Sequence, residues 1–365
     1  MELFMYFDLK WFLGPAIFFA ILMPFLFVFA TWDHEMFRQY VLLPGPLDWG
    51  SKEFVLRCWL SRWVRTGWSS RNKLLAPRPR IAMQTKFTIL DSEIANVKAS
   101  LGTTSEGITS VPLIFPQVIC SYLLVQLLGN SHFPCPVHAL KWKRLHVTQL
   151  RRIQVDEQLN CLMVLIDKKL IPEGVEFTVQ TDLFDEEGVV WQSSLYFVVP
   201  MANVHQVAIP LSQPSNLLDQ SLMESTVGSE TTSLRLPVSK ERLVEFNLGG
   251  AADIERFSPW SEAPPRVTPL WMVAAACAAI EKHGKEIAYP LVCHSAVAED
   301  DPVAVTNVSL TSELHCDVAS KSENENTKLV TFNVSANGKT KLLSGYLRSV
   351  GWKYVAPEET DQTTE

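Results

Sequence analysis

The chain has 365 residues, enough for two ordinary domains or one double domain with a large core. Hydrophobic residues make up 47% and charged residues 19%, which excludes general disorder. The net charge of −7 gives no global attraction to nucleic acid.

The first 32 residues read as a transmembrane anchor. Residues 11–31 are a run of 21 positions without a charge, bounded by Trp11 and Trp32. At a rise of about 1.5 Å per residue such a helix spans the roughly 30 Å hydrocarbon layer, with tryptophans at its interfaces. Pro15 and Pro24 are kinks that membrane helices tolerate. A cleaved signal peptide is the rival reading, but the residues before the run are not basic and the run is too long. Residues 33–79 read as a Pro/Gly linker followed by a basic amphipathic helix. On that helix Val55, Leu56, Trp59, Leu60, Trp63 and Val64 share one face, with Arg57, Ser61, Arg62 and Arg65 opposite. From residue 51 to 80 there are eight Lys/Arg against one acid, Glu53. The pattern predicts a helix lying among lipid headgroups, with a helix packed on its own domain as the rival, and the basic excess places the globular part in the cytosol. The seven cysteines lack CxxC or framework spacing and agree with a reducing compartment.

Residues 80–211 form a first unit. Val118–Leu128 is apolar apart from Ser121 and Gln126, longer than a typical strand, and reads as a buried helix stopped by Gly129 and Asn130. Strands are predicted at 139–150, 159–166, 176–183 and 189–199. Residues 212–234 are polar, without periodicity, and read as a linker. Residues 235–356 repeat the element order: a short lead-in at 236–247, an Ala-rich helix at Pro269–His283 stopped by Gly284, and strands at 291–298, 304–312, 328–334 and 341–348. Residues 320–327 read as a loop, Asn337-Gly338 as a hairpin turn, and 357–365 as an acidic tail. Helix then antiparallel strands, twice, predicts an α+β protein in which each half wraps a sheet around a central helix.

Three segments carry a family resemblance: ILDSEIANVKASLG, FPQVICSYLLVQLL and HFPCPVHALKWKRLHVTQLRRI. They resemble the first half of MaoC-like dehydratases, the (R)-specific enoyl-CoA hydratase family, over roughly residues 80–350. The resemblance implies a double hotdog fold and an acyl-thioester ligand, with no cofactor and no metal. It also implies a catalytic Asp and His before the second central helix, a general acid/base pair aimed at the substrate double bond. A His-Gly at the helix start would polarise the thioester carbonyl with backbone N–H groups. The corresponding stretch here departs from that pattern. In ungapped register Ala251 replaces the Asp and Arg256 replaces the His; sliding to Asp253 puts Ser258 at the His position. Thr268-Pro269 stands at the His-Gly, and proline has no N–H. Asp253, Glu255 and Arg256 could form a different site, but the first reading is a solvated loop with a local ion pair.

Other candidates are fewer. His132 and His138 flank Pro134-Cys135-Pro136 without further metal ligands. His294 beside Cys293, and His315 beside Cys316, are strand neighbours pointing to opposite faces, so neither pair is a dyad. No GxSxG, Walker or GxGxxG arrangement occurs. Asn307-Val-Ser and Asn333-Val-Ser fall in predicted strands. The expectation is a single-pass membrane protein, in the endoplasmic reticulum for preference, that binds an acyl thioester or other lipid without ordinary hydratase activity. The alternatives are an active hydratase, dehydratase or thioesterase of lipid metabolism, and a scaffold without a ligand.

Overall fold

The computed structural model describes residues 41–43, 74–102, 111–130, 132–135, 137–202, 204, 211–212, 231–248, 267–283, 289–298, 308, 313–324 and 327–350. The 11–31 run, the amphipathic stretch 53–68 and the tail lie outside the described residues. Among the described residues no helix is long and apolar enough to cross a membrane.

The first half begins at β2 (Ile81–Thr88), with the short β1 (Val41–Leu43) parallel along its edge. Helix α1 (Asp91–Leu101) follows, with Asp91 and Glu93 in its first turn and Lys98 in its last, matching the helix dipole. Glu93 reaches back to accept the Leu90 N–H at 3.3 Å. Gly102 ends the helix in the left-handed conformation, φ +78°, and a Cβ there would lie 2.6 Å from both Arg242 and Pro237.

The predicted central helix is present but broken: α2 (Phe115–Ile119) and α3 (Ser121–Gly129) meet at Cys120. Pro116 suits the first turn, where its missing N–H costs nothing. The Ser121 hydroxyl donates back to the Gln117 carbonyl at 2.9 Å, a local bond that competes with helix continuation. Four strands complete the half: β3 (Lys141–Gln149), β4 (Gln158–Ile171), β5 (Gly174–Phe184) and β6 (Val189–Pro200). At Gly174, φ +151°, a Cβ would stand 2.0 Å from the Val199 carbonyl oxygen, so the β4–β5 hairpin requires glycine.

The second half comprises β7 (Thr231–Leu236), α4 (Lys240–Leu248), α5 (Pro269–His283), β8 (Leu291–Val297), β9 (Leu314–Asn324), β10 (Thr327–Ala336) and β11 (Thr340–Val350). Helix α5 has the bounds expected of it. Two strands depart from expectation. Strand β7 occupies the end of the polar stretch read as linker, because β9 offers it a partner edge. Strand β9 continues to Asn324 through residues read as loop, since Ala319 and Lys321 pair with Thr331 and Leu329. Most of the predicted strand 304–312 lies outside the described residues.

Among the described residues eleven strands form one sheet in the order β1-β2-β4-β5-β6-β3-β8-β11-β10-β9-β7. The repeat is visible in that order. Numbering each half's strands from its own start gives 1-3-4-5-2 for β2, β4, β5, β6, β3, and the same for β7, β9, β10, β11, β8. The second strands, β3 and β8, pair with each other antiparallel and join the halves. One face of the sheet carries the helices: Cys120 lies 3.9 Å from Cys161 on β4, and Cys277 of α5 lies 3.9 Å from Cys293 on β8. Helix α1 packs on α4 and α5, closing the helical layer across the two halves.

Candidate functional site

The chemistry expected by resemblance belongs at the start of α5. Ala251, Asp253, Glu255, Arg256 and Ser258 lie outside the described residues. Thr268 is described, and it caps α5. Its Oγ1 accepts the Trp271 N–H at 3.2 Å and its carbonyl accepts the Met272 N–H at 3.0 Å. Pro269 has no N–H to give. Of the first-turn amides, Leu270 is thus the one that neither the cap nor proline removes from service toward a substrate carbonyl. The side chain of Thr268 is turned to its own helix and is buried.

In the first half a polar cluster sits between the central helix and the sheet. Gln117 of α2, Ser193 of β6 and Thr181 of β5 are each fully buried. The Ser193 hydroxyl donates to Gln117 Oε1 at 2.6 Å, and Thr181 stands opposite Ser193 in the β5–β6 ladder. Gln117 Nε2 and Thr181 Oγ1 have no hydrogen-bond partner. Such atoms are costly to leave dry and suit a polar ligand group, an amide or carbonyl. Nothing in the cluster titrates near neutrality, so it can hold a carbonyl but supplies no acid/base step. Sequence reading marked Ser121 only as an interruption and did not find Gln117, Ser193 or Thr181. A glutamine inside an apolar helix and serines inside an apolar strand were the available signals.

A second polar junction ties the halves. Trp191 of β6 donates its Nε1–H to the Leu113 carbonyl at 2.9 Å, and the Leu113 N–H donates to Glu281 Oε1 of α5 at 3.4 Å. Burial pushes the Glu281 carboxyl up to about 7, against the pull of the Leu113 amide and Lys98. The Lys98 ammonium is in turn lowered by burial. Glu281 is a described acid poised near neutrality, but it sits about 20 Å along α5 from the helix start. It therefore serves a different place from the family's acid/base pair.

At the joint of the sheet, His146 of β3 lies directly opposite His294 of β8, ring centroids 5.8 Å apart. Burial, then His146 and Arg144, push the His294 imidazole down to about 3; burial lowers His146 as well. As the alternation predicted, Cys293 faces the helices and His294 the other side. The spacing reading could not pair His294 with His146, because that pairing exists only across the two halves. Asn333 lies within β10, paired on both sides. Among the described residues no group of three His, Cys, Asp or Glu is placed to hold a metal.

Comparison with solved structures gives the fold a family likeness. HtdX of Mycobacterium tuberculosis superposes with a TM-score of 0.51 at 14% identity, covering 74% of this chain and 100% of that one. A second structure of HtdX gives 0.52 at 15% identity, covering 73% and 99%. A protein described as a MaoC-like dehydratase gives 0.52 at 12% identity, covering 74% and 98%. No family model and no curated protein matches the chain. The chain has the double hotdog fold of MaoC-like dehydratases. At this level of identity the likeness establishes the fold and leaves the reaction to the site itself.

Proposed function

We propose that this chain is a membrane-anchored protein of MaoC-like fold that binds an acyl thioester or related lipid between helices and sheet, without ordinary enoyl-thioester hydratase activity. The observation that carries the reading is Thr268. Where the resemblance calls for a His-Gly that frees backbone donors, a threonine closes the helix start on itself and proline removes another donor. The loop residues Ala251 and Arg256, at the positions of the family's Asp and His, point the same way. The Gln117–Ser193–Thr181 cluster provides hydrogen-bonding capacity for a thioester or amide without a titrating group. The uncharged run 11–31 would anchor the chain, with the basic 51–80 stretch on the cytosolic side, in the endoplasmic reticulum for preference.

The test is hydration of medium-chain trans-2-enoyl-CoA by the detergent-solubilised full chain, with binding of the same thioester followed by calorimetry. Saturable binding without turnover is the expected result. Losing general acid/base assistance removes about 10²–10⁴ in rate. Robust turnover would overturn the reading and make the chain an active hydratase through other residues. Absence of binding would favour a scaffold.

A further inference from the structure

The strands that join the halves carry polar chemistry on the face turned away from the helices. Leu145 and Val147 of β3 belong to the helix-side core, and Cys293 of β8 meets Cys277 of α5. Alternation then turns Arg144, His146 and Thr148, with Val292, His294 and Ala296, to the opposite face. His146 opposes His294, and Arg144 lies two residues from His146 on the same face. A bulge between Trp142 and Arg144 sets the position from which Arg144 projects. Tyr346 of β11 stacks on the other side of His294, centroids 5.7 Å apart and planes at 29°.

Four nitrogens in this cluster lack hydrogen-bond partners: both ring nitrogens of His294, Nδ1 of His146 and Nη1 of Arg144. His294 is 0% exposed and Arg144 8%. His146 Nε2 is 3.3 Å from Thr148 Oγ1, which leaves the buried Nδ1 as its unpartnered atom. A guanidinium at this burial ordinarily has an acceptor, because an unpaired buried charge is expensive. Two acids of β5, one strand beyond β6, have partners of their own. Glu176 lies 3.5 Å from Lys169, and Asp182 accepts from Gln180 and Gln192.

We propose that this seam is an oxyanion site, in which Arg144, His146 and His294 take a phosphate group. A guanidinium fork matches phosphate oxygens, and each imidazole presents a further N–H from the facing strand. Several oxygens on one centre suit donors arriving from two strands. A divalent cation is the poorer occupant, since the fixed Arg144 guanidinium repels it. His146 is the partly exposed member of the cluster. The phosphate could belong to a soluble ester or to a phospholipid headgroup. The site lies on the sheet face opposite the Gln117–Ser193 cluster and stands or falls independently of thioester binding.

The experiment titrates inorganic phosphate into the full-length solubilised chain labelled with ¹⁵N-histidine, and repeats it with phosphatidic-acid vesicles. The expected result is a saturable, joint shift of the His146 and His294 ring signals. Arg144→Gln should weaken binding about 10- to 100-fold, the worth of a charge-assisted bond. Arg144→Lys should recover part of that loss, and His146→Gln, at a partly exposed position, provides a variant that keeps the fold. A shift with vesicles but not with inorganic phosphate assigns the phosphate to a lipid headgroup. No shift with either, or an affinity unchanged in folded Arg144→Gln, overturns the proposal.

Discussion

The two halves share a strand order and differ inside. The first closes its sheet over a helix broken at Cys120, with Gln117, Ser121, Ser193 and Thr181 buried between helix and strands. The second closes over one continuous helix, α5, whose inward residues include Trp271, Ala275, Ala276 and Cys277, capped by Thr268. Topology is set by the alternation of strands and one apolar helix, and tolerates either interior. The Gln117–Ser193–Thr181 cluster therefore belongs to the half with the broken helix, while the continuous helix of the other half packs bulky apolar side chains such as Trp271.

The largest effect expected from this contrast is at the two fully buried tryptophans. Trp191→Ala and Trp271→Ala should each cost about 3–5 kcal/mol. The sharper test is Trp→Phe. Trp191 donates to the Leu113 carbonyl, whereas Trp271 Nε1 has no acceptor. Trp191→Phe should cost roughly 1–2 kcal/mol more than Trp271→Phe in denaturant unfolding. Equal costs would mean that the Leu113 bond adds nothing to the first half.

The next effect concerns the Glu281 junction between the halves. Its folded-state carboxyl is raised to about 7 from an ordinary 4.5, so the folded chain holds the proton more tightly than the unfolded chain does. The resulting stabilisation is full below about pH 4.5 and is lost as pH rises through about 7. The amplitude is of order 1–3 kcal/mol. Glu281→Gln should flatten this part of the stability–pH curve; a curve unchanged by the substitution would remove Glu281 from the junction.

The smallest expected effect is at the α5 cap. Thr268→Ala should cost about 1 kcal/mol, and Thr268→Ser should restore most of it. The first half offers no matching substitution, because Ile114 at the start of α2 provides no side-chain cap. A thermal scan in which Thr268→Ala is neutral would show that the hydroxyl is not committed to Trp271.

Much of the fold was legible locally. Pro269–His283 stood out by apolar length and by the glycine after it, and β5 and β6 by their apolar runs. Strands β2 and β7 were not, since each becomes a strand by pairing with an inner neighbour, β4 or β9, rather than by its own pattern. Residues 320–324 read as loop for the same reason: Ser, Lys, Glu and Asn are strand residues here because β10 lies alongside.

By itself the sequence determined the repeat of helix and antiparallel strands and the likeness to a hotdog half. These are written in spacing and residue type along a single stretch. Only the tertiary structure decided that Thr268 spends its hydroxyl on its own helix, that Gln117 meets Ser193, and that His146 faces His294 beside Arg144. The physical reason is that a hydrogen bond or a ring contact depends on distance in space. Here that distance is set by strand register and by the β3–β8 joint, which no local window contains.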